Sequence, residues 1–310
     1  MNHTPVDDLE ILRCPHCGAA LEAVAGGASC AAGHHHDRAK QGYLGLRVAA
    51  RGLGAPAAGD TAEMVDARER FQGAGHHDAI AAAVRDAAVG ALAPGGAVLP
   101  GGELLPGDAE PVDALAAAGP DGWVVDLAGG PGWHLSHALD ALPGMRGLLL
   151  DASAVAVRRA LRSHPRIAAA TADLRARIPI GDGAAALVLK VFAPGPPTEI
   201  TRVLASGGVL VAAIPEPDHH RELVQPLKLL RVPAGKANEL VAALPALTEE
   251  ARVTVRETIT VDRAAAADAV FMGPNAFHQK REQVEAALAA GPEVRDLTVA
   301  VTVVTLRRPA

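Results

Sequence analysis

The chain has 310 residues and a mass of 31.6 kDa, with 49% hydrophobic and 21% charged residues. That balance suits about two soluble domains and excludes wholesale disorder. A formal charge of −6 and only seven aromatic residues (two Trp, one Tyr, four Phe) exclude a broad, sequence-blind grip on nucleic acid and a row of base-stacking platforms.

In chain order, the N-terminus lacks the basic-then-apolar layout of a signal peptide, and no apolar run reaches the roughly 18 residues of a membrane helix. A cytoplasmic chain with no membrane contact is expected. The first fifty residues hold all three cysteines and five of the thirteen histidines, with almost no helical periodicity. Residues 51–59 read as a linker. Asp60 then stands as an N-cap with Glu63 three residues on, predicting a helix to about Gln72. A second helix is expected over Asp78–Leu92, with Ile80, Val84, Ala88 and Leu92 on one stripe. Residues 94–122 are crowded with Gly and Pro and read as a loop.

From Trp123 short apolar runs alternate with helical stretches. Strands are expected at Trp123–Leu127, Gly147–Leu150, Ile167–Ala170, Ala185–Phe192 and Val209–Ile214. Helices are expected at Trp133–Leu142, Ala154–Ser163 and Thr198–Leu204. That alternation predicts an α/β fold, a parallel sheet covered on both faces. Arg252–Val261 and Leu297–Leu306 read as a closing antiparallel edge, with a helix between them from about His278 to Ala290.

Two constellations carry chemistry. Cys14 and Cys17 form a Cys-x2-Cys knuckle, and Cys30 and His34 a Cys-x3-His knuckle, together a closed donor set for a structural Zn2+. His35 and His36 are alternatives to His34 as the fourth ligand. The metal would replace the core that so short a segment cannot build. Clustering of cysteines in a cytoplasmic chain favours a metal over disulfides.

The second constellation is Asp126-Leu127-Ala128-Gly129-Gly130-Pro131-Gly132 between strand and helix, followed by Asp151 and Asp173 after the next two strands. It lacks the dinucleotide glycine spacing and a phosphate-binding Lys-Ser/Thr, so it points to a nucleoside without phosphates. Asp126 would hold an ammonium group indirectly, Asp151 the ribose hydroxyls, and Asp173 would lie at the adenine edge. Capping of the following helices is the alternative role for Asp151 and Asp173.

These residues together resemble the zinc-containing guanine-N1 methyltransferases that modify a hairpin loop of large-subunit ribosomal RNA. The chain is most similar to their actinobacterial branch, which confers resistance to tylosin-type macrolides. Besides both knuckles, the resemblance runs through Asp37 to Tyr43, Asp60 to Arg68, Ala74-Gly75-His76, Leu148 to Asp151, Pro217-Asp218-His219 and Met272-Gly273-Pro274. It implies a Rossmann-like methyltransferase sheet over 123–310, a zinc module over 1–50 that helps hold RNA, a helical linker region and loop over 51–122, and a homodimer. It also implies an S-adenosylmethionine site at Asp126, Gly129, Gly130, Gly132, Asp151, Asp173 and Leu174.

The chain departs from the family pattern at several points. Ala193-Pro194-Gly195-Pro196 replaces Ala-Pro-Arg-Asn, removing an Arg fork and an amide near the acceptor. His36 stands for Phe, His77 for Tyr, Gly45 for Asn and Ala128 for the first glycine of the cofactor loop, tolerable there at a negative φ. Residues 1–60 carry a net charge of −1, so the RNA-holding module is not basic. Methylation of guanine N1 needs a general base, for which Asp218, His219 and His76 are candidates, with Glu216, His77 and His220 nearby. The expected acceptor is a ribosomal RNA hairpin, and a small molecule of specialised metabolism is the alternative.

Overall fold

The computed structural model describes residues 8–48, 59–93, 122–175 and 177–310. The linker up to residue 58 and the Gly/Pro-rich stretch from 94 to 121 lie outside them. The described chain begins with three short antiparallel strands, β1 (Leu21–Val24), β2 (Gly27–Cys30) and β3 (His35–Asp37). A two-residue strand follows, β4 (Leu44–Gly45), and then helices α1 (Ala62–Gly73) and α2 (Asp78–Leu92). The alternating region supplies β5 (Trp123–Leu127), α3 (Trp133–Ala141), β6 (Arg146–Asp151), α4 (Ala154–Ser163), β7 (Ile167–Thr171), β8 (Ala185–Val191), α5 (Pro197–Val203) and β9 (Leu204–Pro215). The remainder is α6 (Arg221–Val224), α7 (Lys236–Ala242), β10 (Thr248–Asp262), α8 (Arg263–Phe271), α9 (Arg281–Ala289) and β11 (Val294–Arg307).

Eight strands form one sheet in the order β10-β11-β9-β8-β5-β6-β7-β4. β5 through β9 are mutually parallel; β11 runs antiparallel between β9 and β10. Strand order reverses at β5, between β6 and β8. In open α/β sheets a crevice opens at such a switch point, outside the carboxyl ends of the strands. This is the Rossmann-like α/β sheet expected of a methyltransferase.

The central strands are apolar throughout because both faces are covered. Val125, Leu127, Leu148 and Leu150 point to one core, shared with Ile11, Leu12, Leu44 and Leu46 of the N-terminal segment. Val124 and Leu149 point to the opposite core, with Ile80, Val84 and Ala88 of α2 and Leu135 and Leu139 of α3. A smaller cluster joins Phe71 of α1 to α6, α8 and α9.

Several boundaries differ from expectation. The N-cap of α1 is Thr61, whose hydroxyl accepts from the Met64 amide at 3.3 Å, not Asp60. Asp60 instead pairs with Arg68 at 2.6 Å. β9 begins at Leu204 rather than Val209, because Leu204 already pairs with Ala185. The helix expected from His278 starts at Arg281, after a 3-10 turn over Pro274–Phe277. Helices α7 and α8 have no counterpart in the sequence reading, nor do the strands of the N-terminal segment.

Candidate functional site

The first cluster lies in the N-terminal segment. Each knuckle is a tight turn: the Gly18 amide donates to the Cys14 carbonyl and the Gly33 amide to the Cys30 carbonyl, both at 2.8 Å. The sulfurs of Cys14, Cys17 and Cys30 and a ring nitrogen of His34 all lie within 4.8 Å of one another. Cys17 and Cys30 sulfurs are 3.7 Å apart, and Nδ1 of His34 is 3.5 Å and 3.4 Å from the sulfurs of Cys14 and Cys30. Ordinary zinc bond lengths in a tetrahedron give edges of about 3.8 Å between sulfurs and about 3.6 Å from sulfur to nitrogen. Backbone amides of His16 and Cys17 point at the Cys14 sulfur, where burial nevertheless pushes the thiol up to about 11; those of Ala32 and His34 point at the Cys30 sulfur and, against burial, help draw it down to about 6. The donor set therefore fits Zn2+ and is closed, as in structural sites. Among the three adjacent histidines, His34 completes it. His35 pairs with Asp37 on the surface, while buried His36 places Nε2 3.4 Å from the Cys14 sulfur without joining the four.

The second cluster lies at the carboxyl edge of the sheet, at the switch point. Asp126, near the end of β5, is 1% exposed, and its Oδ2 has no hydrogen-bond partner. Burial, with the Asp151 charge nearby, holds its pKa well above the ordinary carboxyl range. A Cβ on Gly129 would overlap that carboxylate and approach Leu149 Cδ1 to 2.7 Å, so only glycine lets the backbone pass there. Gly130 has a φ of +59°, and its amide donates to Asp151 Oδ2 at 3.0 Å. Gly132 caps the N-terminus of α3. Ala128 occupies the first glycine position with a φ of +53°, not the negative value expected of an alanine.

Asp151 ends β6. Its other oxygen accepts from the Ser153 amide at 2.7 Å, and burial raises its pKa despite both amides. Ser153, not Asp151, caps α4. Asp173 caps no described helix either: its carboxylate accepts from the Arg175 amide and side chain, at 2.6 Å to Nη2. Leu174 beside it is buried in the main core.

Arg68 of α1 was not singled out from sequence as a site residue. It pairs with Asp60, donates to the Met272 carbonyl at 2.5 Å, and places Nη1 where a Gly130 Cβ would be 2.6 Å away. Its signal lay within the Asp60–Arg68 segment. Trp133 Nε1 and His134 Nδ1, directly after the glycine loop, are also buried without partners.

Across the same edge, the rings of Phe71, His76, His77, Phe192, His219 and His220 form one contact network. Burial lowers the His219 pKa to about 4 and holds His77 and His220 well below the usual imidazole range. Asp218 is forked by Arg256, which keeps its pKa low. Phe192 and His220 both adopt left-handed backbone conformations, at φ of +54° and +53°. Such strained residues cluster at functional sites.

The family described as RlmA, N-terminal, a zinc ribbon, matches residues 12–47. The 23S rRNA (guanine(748)-N(1))-methyltransferase of Streptomyces fradiae is 38% identical over 297 residues, covering 96% of each chain. A Micromonospora griseorubida protein assigned as a 23S rRNA (guanine-N(1)-)-methyltransferase is 40% identical over 310 residues, covering 97% of this chain and 98% of its own. No described helix is long and apolar enough to cross a membrane. With a Cys3His cluster suited to zinc and a Rossmann-like sheet whose crevice holds the glycine loop, the chain belongs to the family of S-adenosylmethionine-dependent 23S rRNA (guanine-N1) methyltransferases.

Proposed function

We propose that this enzyme methylates N1 of a guanine in a hairpin loop of 23S ribosomal RNA, and that the carboxyl edge of the sheet is where it does so. The observation that carries the reading is the pairing of Asp126, buried with an unpartnered oxygen, with Asp151, whose two oxygens are each aimed by a backbone amide. Two buried carboxylates at one glycine-lined crest fit a ligand bearing both a cation and a diol.

Bound S-adenosylmethionine supplies an electrophilic methyl group on a sulfonium. Asp151 would receive the ribose hydroxyls, since each of its oxygens keeps a lone pair beyond the amide it accepts. Gly129, Gly130 and Gly132 would let the backbone approach the methionine part, with Asp126 balancing its ammonium group. Asp173 and Leu174 would border the adenine. Transfer of that methyl group to guanine N1 would require a residue of the chain to take the N1 proton.

Of the three candidates, Asp218 is held by Arg256 at low basicity. His219 accepts the Ala300 amide on Nδ1 at 3.2 Å, which assigns its proton to Nε2 and makes it a donor toward the site. His76, half-buried and in ring contact with Phe71, is the base this reading favours.

Primer extension on 23S rRNA from cells expressing the chain should stop at one guanine, and Asp151→Ala should remove the stop. His76→Gln should slow methylation by about 100-fold without changing cofactor affinity. No stop with active, cofactor-binding protein would overturn the RNA reading and turn attention to a small-molecule acceptor beside the altered Ala193–Pro196 loop. Cells carrying the chain should also lose susceptibility to tylosin-type macrolides. The homodimer that the family resemblance implies would be read by light scattering.

A further inference from the structure

The histidine cluster at the carboxyl edge holds more nitrogen than a base requires. His77 sits in the turn between α1 and α2; His219 and His220 follow β9. One ring nitrogen from each lies within 4.8 Å of the others. The His219 and His220 rings stack at 4.0 Å between centroids, and His77 is 6.4 Å from both. His77 is 2% exposed and His220 8%. Neither nitrogen of His77 has a hydrogen-bond partner, and neither does Nε2 of His220. Buried polar atoms are nearly always satisfied, so unpartnered nitrogens on His77 and His220, from two separate segments and in one three-histidine cluster, call for a ligand.

We propose that His77, His219 and His220 form a second metal site, for a borderline divalent ion such as Zn2+, Co2+ or Ni2+. Donor type decides the class. Three imidazoles suit these ions, whereas Mg2+ and Ca2+ require oxygen ligands. The adjacent carboxylate, Asp218, faces Arg256 instead. Three neutral ligands leave an open coordination position for a water or a ligand heteroatom, in contrast to the closed Cys3His set. In a tetrahedral site the nitrogens would stand about 3.3 Å apart, so any pair near the 4.8 Å limit must draw in on metal binding. His219 pays a further toll: its Nδ1 must release the Ala300 amide, or the ring must turn, before a lone pair faces the ion. His219 is therefore the weakest ligand of the three.

The site does not depend on which acceptor is methylated, and metal content tests it without an activity assay. Full-length protein dialysed against excess Zn2+ should retain two ions per chain by mass spectrometry. His77→Tyr, a ring of similar bulk without imidazole nitrogen, should retain one. His219→Ala should also weaken the second ion, but less than His77→Tyr does. With Co2+, the second equivalent should add ligand-field bands but no thiolate-to-cobalt charge transfer. A single ion in the wild-type chain at saturating metal would overturn the proposal whatever the variants do. So would a second ion that survives His77→Tyr, or one that adds charge transfer.

Discussion

Ala128 has a φ of +53° where the chain turns out of β5, and its amide donates to the Leu150 carbonyl at 2.7 Å. A Cβ in the left-handed region costs roughly 1–2 kcal/mol that glycine does not incur. The methyl also packs against the main core, which offsets part of this. Ala128→Gly should therefore raise stability by about 0.5–1 kcal/mol in urea unfolding, and a loss of stability would contradict the strain. Asp126 makes the opposite kind of residue-scale case, since burial disfavours its charged form and leaves one oxygen without a partner. Its folded pKa is raised, mainly by burial, so the carboxyl's contribution to stability is complete below the unfolded value and fades as pH climbs through the folded one. Asp126→Asn should stabilise the ligand-free protein at pH 7 by about 1–2 kcal/mol while abolishing cofactor binding. That gain should shrink as pH falls through the folded value and vanish only well below the unfolded value of 3.8, where the wild-type carboxyl is protonated in both states. A pH-independent gain would point to packing instead of charge.

At the scale of elements, α1 is the part that closes over the glycine loop, and polar contacts hold it there. Arg70 forks Asp268 of α8 at 2.7 Å and 2.8 Å, and Arg281 reaches the same carboxylate at 2.8 Å. Asp268 is 4% exposed, but Arg70 is largely solvated, which discounts the pair. Asp268→Ala should cost about 2 kcal/mol and Thr61→Ala about 1 kcal/mol, both read by chemical denaturation. The sequence signals for α1 were sound, but the cap was misread. Asp60 and Thr61 are both good caps, and only the tertiary pair with Arg68 shows which is free to cap. The central strands were legible because burial on both faces leaves continuous apolar runs such as Trp123–Leu127. β1 to β4 were not, since metal ligands and turns, not periodicity, hold that segment. The glycine loop and Asp151 could be read from spacing alone. His77, His219 and His220 could be placed at the sheet's carboxyl edge from sequence, but Arg68 beside the glycine loop and the convergence of one nitrogen from each histidine could not, because segments distant in sequence meet there only through the fold.

For the molecule as a whole, the N-terminal segment is one of the covers of the sheet. Ile11, Leu12, Cys14, Leu44 and Leu46 are buried in the same cluster as Val125 and Leu148. β4 pairs in parallel with β7, Leu12 bridges to Ile180, and the Gly181 amide donates to the Ile11 carbonyl at 2.9 Å. Loss of the ion at Cys14, Cys17, Cys30 and His34 would free the knuckles that place those side chains, exposing one face of β6 and β7 to water. A structural zinc contributes folding energy directly, and here that energy is shared across the core. Calorimetry of chelator-stripped protein should show one cooperative transition, shifted down by more than about 5 °C, with dye binding that reports exposed apolar surface. If the ribbon instead melted alone and left the main transition unmoved, the shared core would not couple the two, and the segment would act as an appended module.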